Sequence, residues 1–373
     1  MKALSLSSRF HHRSIRTIFL LLIVSLAFYL PASSISSAKA SYSNHRIIVP
    51  MLMMEHRNGQ PVLLGLYPMH WTGDQNVLNQ EYHDVDNWSG KQMSLVGDFI
   101  DMEEPSPEVN VYRRYTLIWD NGYTPFINLS STHTTDFISS GQADSYIRNW
   151  ALSFKEYANG GRRMAYIAPL QEMNGHWVVY HQGPDSFKRA YQHIRSIFTS
   201  VGVPSQSVQW VFAPNGSSNV GDEFERYYPG DNEVDAVGFS AYNFGFCPDI
   251  TSPQWIKPEK LFPPYINRMR IMAPGKPIFI AQTATTAMTK YGWNDEAKNT
   301  WIKNAYTLLA NEGIRGIVYF NYDSYSSKGL CDLAFYKTWD QNQRRYSGYV
   351  EAIDQSAFRY QKPLELLSLS ANP

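Results

Sequence analysis

The chain has 373 residues, with 33 Lys and Arg against 33 Asp and Glu, and is 43% hydrophobic and 14% aromatic. That apolar content supports a large core and excludes an intrinsically disordered chain. The even charge balance hides an asymmetry, because residues 1–40 hold five bases and no acid, leaving 28 bases against 33 acids beyond them, a net charge of −5. A body of that sign with no Lys/Arg run excludes binding to nucleic acid mainly through phosphates, so no nucleic-acid partner is expected.

In chain order, bases through Arg16 precede the apolar stretch Ile18 to Leu30, then Pro31, a Ser-rich segment and Ala38-Lys39-Ala40, which has the small-x-small spacing of a signal-peptidase site. Residues 1–40 read as a cleaved secretory signal and 41–60 as a lead-in, so a secreted protein without membrane attachment after cleavage is expected. A retained anchor is the alternative, but thirteen residues fall short of the roughly 20 that a helix needs to span a bilayer. Outside the cell Cys247 and Cys331 need not stay reduced, and neither sits in a CxxC or a Cys/His metal spacing. A disulfide between them is expected, two unpaired thiols being the alternative.

Eight β-rich runs follow: Val62 to Tyr67, Leu95 to Ile100, Thr124 to Leu129, Met164 to Leu170, Val208 to Ala213, Val234 to Phe239, Pro277 to Ala281 and Gly316 to Phe320. Amphipathic segments lie between them, such as Asp144 to Tyr157, where Ile147, Trp150, Ala151, Phe154 and Tyr157 fall three or four apart on one face. Asp185 to Val201 and Asp295 to Asn311 are others. Strands alternating with helices imply parallel pairing with right-handed crossovers, and eight such units predict an α/β chain folded as a single (β/α)₈ TIM barrel. A doubly wound open sheet is the alternative. No Pro/Ser-rich linker interrupts residues 61–362, which are assigned to one domain with a tail at 363–373. A monomer is expected.

In such barrels the chemistry sits at the C-terminal ends of the strands. Those positions include Tyr67, Asp98, Asp101, Asn128, Glu172, Asn174, Asn215, Tyr242, Gln282, Asn321 and Asp323, and they are crowded by Trp71, Trp88, Trp177, Tyr180, Phe244, Phe246, Trp293, Tyr322 and Tyr325. Flat rings beside amides and carboxylates suit a sugar, whose C–H bonds lie on a ring while its hydroxyls meet polar groups. Several of these rings could equally pack the rim. The segment Pro169 to Trp177 holds Glu172 where an apolar strand ends beside aromatic residues. Desolvation there would raise its pKa, as a general acid near neutral pH requires, so Glu172 is the candidate acid. There is no HExxH, GxSxG or Walker loop, and the ten histidines are scattered. No metal or cofactor is expected, and His133, after the third strand, reads as a sugar hydrogen-bond partner or a loop-packing residue.

The sequence resembles glycoside hydrolase family 26, the (β/α)₈ family best known for secreted endo-β-1,4-mannanases. The resemblance rests on Leu64-Gly65-Leu66-Tyr67, Gly97-Asp98-Phe99-Ile100, Glu172-Met173-Asn174-Gly175 with Trp177, and Gln209 to Asn215. It continues through Tyr228-Pro229-Gly230-Asp231, Val234 to Phe239 with Tyr242-Asn243, and Lys276 to Ala281. It implies a polysaccharide or oligosaccharide substrate, by default β-1,4-mannan. It also implies Glu172 as acid/base and Tyr242 beside the reacting sugar, and with the strand-end residues Asn174, Trp177, His133, Trp210, Asn215, Trp293 and Tyr322 these make up the expected substrate-binding set.

Three positions depart from the family's pattern. Gln282 stands where the nucleophilic Glu is expected, and Ala168 and Gln171 stand where Arg and His are usual. A neutral amide cannot become a glycosyl ester, and a retaining enzyme needs a second carboxylate about 5–5.5 Å from the acid. Four readings follow: a hydrolase with a carboxylate recruited from Asp98, Asp101 or Asp323; a substrate-assisted hydrolase of an N-acetylhexosamine polymer, in which Gln282 holds the acetamido group; a catalytically silent sugar-binding protein; and a transglycosylase.

Overall fold

The computed structural model describes residues 60–68, 73–216, 223–248, 250–326, 328–337 and 343–370. The expected signal segment at 1–40 and lead-in before Gln60, with Trp71 and the side chain of Tyr325, lie outside the described residues. Eight parallel strands form the barrel: β1 (Leu63–Tyr67), β2 (Leu95–Asp101), β3 (Thr124–Ser130), β4 (Ala165–Pro169), β5 (Val208–Phe212), β6 (Ala236–Asn243), β7 (Ile278–Thr285) and β8 (Gly316–Phe320). They close in sequence order, with β1 pairing both β2 and β8.

Every expected run is a strand, but β6 and β7 continue four residues beyond the predicted ends at Phe239 and Ala281. A register shift between Phe239 and Ser240 brings Ser240 opposite Gln282. Gln282 therefore sits within β7 and not at its end. The extension Gln282-Thr283-Ala284-Thr285 is fully buried, and its β-branched threonines suit a pleated, packed surface although their polarity reads as loop.

Aromatic layers fill the interior. Phe126, Tyr166 and Phe279, from β3, β4 and β7, meet with ring centroids 5.9, 5.6 and 5.0 Å apart. Above them Tyr67 packs on Phe99 at 4.7 Å and donates its hydroxyl across the barrel to the Ala281 carbonyl at 2.9 Å. A Cβ on Gly97 would lie 2.4 Å from the Tyr67 ring, so β2 needs glycine there for the layer to close.

Helices α1 (Arg114–Asp120), α2 (Asp144–Ala158), α3 (Pro184–Ser200) and α4 (Asp295–Asn311) belong to the outer ring. α2 buries the five predicted residues of its apolar face and stops at Asn159, which takes the left-handed conformation of a C-cap. α3 starts at Pro184, whose fixed φ suits a first helical turn. The Asn294 side chain caps α4 by accepting from the Ala297 amide, with Asp295 and Glu296 favourably placed at the positive end of the helix dipole. The expected tail differs from the structure: Pro363–Ser370 form helix α5, because Leu366 is buried and Ser370 donates to the Gln206 carbonyl.

Cys247, after β6, and Cys331, after β8, are joined by a disulfide with Cα atoms 5.0 Å apart at a sequence separation of 84. Cross-linking so long a loop restricts the unfolded chain by about 4–5 kcal/mol in the entropic account. Reduction is therefore expected to lower the urea midpoint of unfolding substantially, which unfolding curves recorded with and without reductant will measure.

Candidate active site

Glu172 lies in a tight turn after β4. Leu170 and Glu172 both take positive φ, at 54° and 56°, a conformation that costs an L-residue energy and persists only where its surroundings fix it. The Glu172 amide donates to the Ala213 carbonyl at the end of β5, and the Gly175 amide donates back to the Glu172 carbonyl, both at 2.8 Å. A Cβ on Gly175 would stand 2.3 Å from the Trp177 ring. Glycine thus lets the indole fold over the turn and donate its Nε1–H to Glu172 Oε2 at 2.9 Å.

The second carboxyl oxygen, Oε1, accepts from Asn215 Nδ2 at 3.2 Å. Asn174 holds Asn215 in place by a reciprocal pair, donating to its carbonyl at 2.9 Å and accepting from its amide at 2.8 Å. Glu172 is 9% exposed. Burial raises its pKa above the ordinary carboxylate value, while Ser240, Trp177 and Asn215 pull it partly back. The Ser240 hydroxyl lies close without forming a bond of its own. A carboxyl so held keeps its proton to higher pH than an ordinary one and can release it to a basic oxygen in the cleft.

Across the barrel, Gln282 Oε1 accepts from the Tyr242 hydroxyl at 2.7 Å, and Phe244 stacks on Tyr242 at 4.9 Å. Gln282 Nε2, Gln171 Oε1 and Asn128 Oδ1 are buried without a hydrogen-bond partner among the described residues. Buried amide atoms left unsatisfied in this way are costly unless a ligand or water meets them. Gln171 donates through Nε2 to Ser130 Oγ at 2.8 Å, and Asn128 donates through Nδ2 to the Tyr67 hydroxyl at 2.6 Å. The Tyr180 hydroxyl donates to the Gln171 carbonyl at 2.9 Å.

Not every expected site residue reaches this cleft. Trp210 faces outward, packed on Phe198 at 5.0 Å and Tyr191 at 6.4 Å with the Arg195 guanidinium over its ring. It is a strand-to-helix packing residue, since Val208, Trp210 and Phe212 share the outer face of β5. His133 stacks on Phe137 at 4.2 Å beside Tyr146, so one face of its ring packs on the loop after β3. Trp293, 38% exposed, donates to Asp295 and has the Arg344 guanidinium 4.8 Å over its ring, so that face is taken. Tyr322 packs on Phe320, which itself meets Tyr242, and so borders the cleft. Trp88 packs among Phe335, Tyr336 and Tyr349.

The recruited-carboxylate candidates separate cleanly. Asp98 points outward, ion-paired with Arg114 at 2.6 Å and accepting from the Tyr115 hydroxyl at 3.0 Å. Asp323 is fully buried and accepts the Ala334 amide at 2.8 Å, shaping a loop beside the disulfide. Asn321 likewise staples that loop through the amides of Phe335 and Tyr336. Asp101 remains on the inner face of β2. Sequence reasoning passed over Ser240 on β6 and Ser130 on β3, buried hydroxyl residues that close the cleft wall around Glu172 and Gln171.

The family described as Glycosyl hydrolase family 26 matches residues 143–307, which carry β4 to β7 and the Glu172 turn. Endoglucanase H of Acetivibrio thermocellus is 29% identical over 234 residues, 59% of this chain and 24% of that protein, so the chain spans about a quarter of that relative's length. Among solved structures, GH26C from Muricauda sp. MAR_2010_75 superposes with a TM-score of 0.57 at 13% identity, covering 83% of this chain and 89% of the other. The Bacillus subtilis mannanase BCman gives 0.54 at 14% identity, with 82% and 88% covered. The β-mannanase from a symbiotic protist of the termite Reticulitermes speratus, solved with gluco-manno-oligosaccharide, gives 0.53 at 12% identity, with 82% and 90% covered. The segment that carries β4 to β7 and the Glu172 turn thus matches glycosyl hydrolase family 26, and the solved structures share the barrel fold.

Proposed function

We propose that the protein is a secreted hydrolase of a β-linked polysaccharide, β-1,4-mannan first, with Glu172 as the general acid. The observation that carries this reading is the Glu172 carboxyl itself, buried at the barrel mouth with its pKa raised and both oxygens oriented by Trp177 and Asn215. Protonating the glycosidic oxygen as the C–O bond breaks avoids expelling an alkoxide, an effect worth roughly 10²–10⁴-fold in rate. Gln282 cannot form a glycosyl ester, so its unpartnered Nε2–H is assigned to a hydroxyl of the reacting sugar, with Tyr242 fixing the amide from behind. Export rests on the N-terminal segment and on the Cys247–Cys331 disulfide, which persists in oxidising surroundings.

Mannan is favoured by likeness to mannanases, and the relative named Endoglucanase H supports a β-glucan as the next candidate. The test is incubation with β-mannan, mixed-linkage β-glucan, xylan and chitin-type oligosaccharides, with NMR following the anomeric protons of new chain ends. New ends on mannan are the expected result; new ends only on glucan move the substrate. The neutral Gln282 favours a second reading, a sugar-binding protein without turnover. Binding of one of these sugars with no new ends would establish it.

A further inference from the structure

Hydrolysis that has neither a nucleophile on β7 nor one supplied by the substrate requires another carboxylate in the cleft, and the inner face of β2 supplies one. Side chains alternate along a strand, so Gly97, Phe99 and Asp101 share a face. That face is the interior, because the Gly97 backbone abuts the Tyr67 ring and Phe99 packs on Tyr67 and Phe320. Asp101 is the last residue of β2, in register with Ser130 on β3, and Ser130 accepts from Gln171, the residue before Glu172. Asp101 thus closes a chain of contacts along the rim to the acid.

The Asp101 carboxylate has no hydrogen-bond or ion-pair partner among the described residues, in contrast to Glu103 and Glu104. Those two are held by Ser131 and the Thr132 amide, and by the Ser106 amide and Asn110. The Tyr180 hydroxyl lies within the fields of both Asp101 and Glu172, which puts the two carboxyls near the same residue. Their strands are separated only by β3. Two inter-strand spacings amount to about 10 Å, and side chains that converge inward shorten this toward the roughly 6.5–9.5 Å of an inverting pair.

Resting on the hydrolase reading above, we propose that Asp101 is the catalytic base, which activates water for an inverting hydrolysis with Glu172 as the acid. The water gives a proton to the Asp101 carboxylate, with the unpartnered Gln171 Oε1 as acceptor for its other hydrogen. The water oxygen forms the new bond to the anomeric carbon on the face opposite the leaving group. The glycosidic C–O bond breaks with its electron pair going to the oxygen, which takes the Glu172 proton. A β-linkage yields an α-hemiacetal and a free hydroxyl on the departing chain. Exchange with solvent returns a proton to Glu172 and removes one from Asp101. Burial, then the charges of Glu103 and Glu104, push the Asp101 carboxyl up to about 6, so the base ionises on the acid side of neutrality.

The experiment uses the full chain with mannopentaose and, in parallel, cellopentaose. NMR in the first minutes of cleavage is expected to show the α-anomer at the new end. Asp101→Asn, an isosteric change that also removes a partly desolvated charge, is expected to lower kcat about 10³-fold with KM within threefold, and to remove the acid limb of the pH–rate profile near 6. Calorimetric binding of the pentasaccharide and an unchanged thermal midpoint will show that the variant is folded. A β-anomer as first product, or an Asp101→Asn variant above a tenth of the parent rate, overturns the proposal while Glu172→Gln inactivity leaves the hydrolase reading standing. A parent that binds but cleaves neither sugar overturns both.

Discussion

Glu172→Gln is expected to lower kcat by about 10³–10⁴-fold while sugar binding persists, because the variant keeps the side chain's volume and loses only the transferable proton. The amide cannot satisfy both of its neighbours. Trp177 Nε1 and Asn215 Nδ2 are donors aimed at the two carboxyl oxygens, and one of them will face the new NH₂ group. A cost of about 1–3 kcal/mol in stability is expected from that donor-to-donor contact. The rate measurement therefore needs a parallel unfolding curve. Stability will also change with pH in a defined sense. The folded pKa of Glu172 is raised above its unfolded value, so between those two values the native state holds more protons than the unfolded one, and the parent loses stability as pH rises through that window. The Gln variant lacks this loss, so its deficit relative to the parent is expected to shrink on moving from acid to neutral pH. Parent-level turnover by Glu172→Gln would remove the residue from the mechanism.

A second large loss of stability is expected outside the cleft, at Lys298. Its ammonium group is fully buried and donates to the carbonyls of Asp332 and Ala334 at 2.6 and 2.7 Å and to the Asp332 carboxylate at 3.1 Å. The same carboxylate accepts from the Ala287 amide and the Thr286 hydroxyl, just past β7. One ion pair thus joins α4, the end of β7 and the loop that follows β8. Lys298→Met leaves Asp332 charged and buried without its cation, a change expected to cost about 3–5 kcal/mol and readable as a lowered urea midpoint. The double variant Lys298→Met/Asp332→Asn is expected to recover part of that loss, since it removes the stranded charge. If the single variant unfolds like the parent, the pair contributes nothing net.

Much of the barrel was legible because two periodicities carry it: β-rich runs at regular spacing and apolar residues three or four apart between them. What the sequence concealed was the geometry of pairing. Nothing local announces that β6 shifts register before Ser240, and that shift decides which residue faces Gln282. Glu172 was legible from its own segment, as a carboxyl leaving an apolar strand beside Trp177. Trp210 was misread because residue type alone does not say which side of a strand a ring occupies, although its parity with Phe212 indicates the outer face. Parity also separates Asp98 from Asp101. Gly97 and Phe99 face the interior, so of the two acids only Asp101 can do so.

The disulfide has a consequence for the order of events during folding. Its halves lie in the loops after β6 and β8, on either side of β7, at a sequence separation of 84. A polypeptide is made from its N-terminus, so Cys247 emerges with no native partner and stays a reactive thiol until Cys331 appears. By then β7 and β8 have also been made, so the native bond can form only when both strands are available to pair. During that interval a stray thiol-reactive partner can divert the chain, and an enzyme that reshuffles disulfides can rescue it.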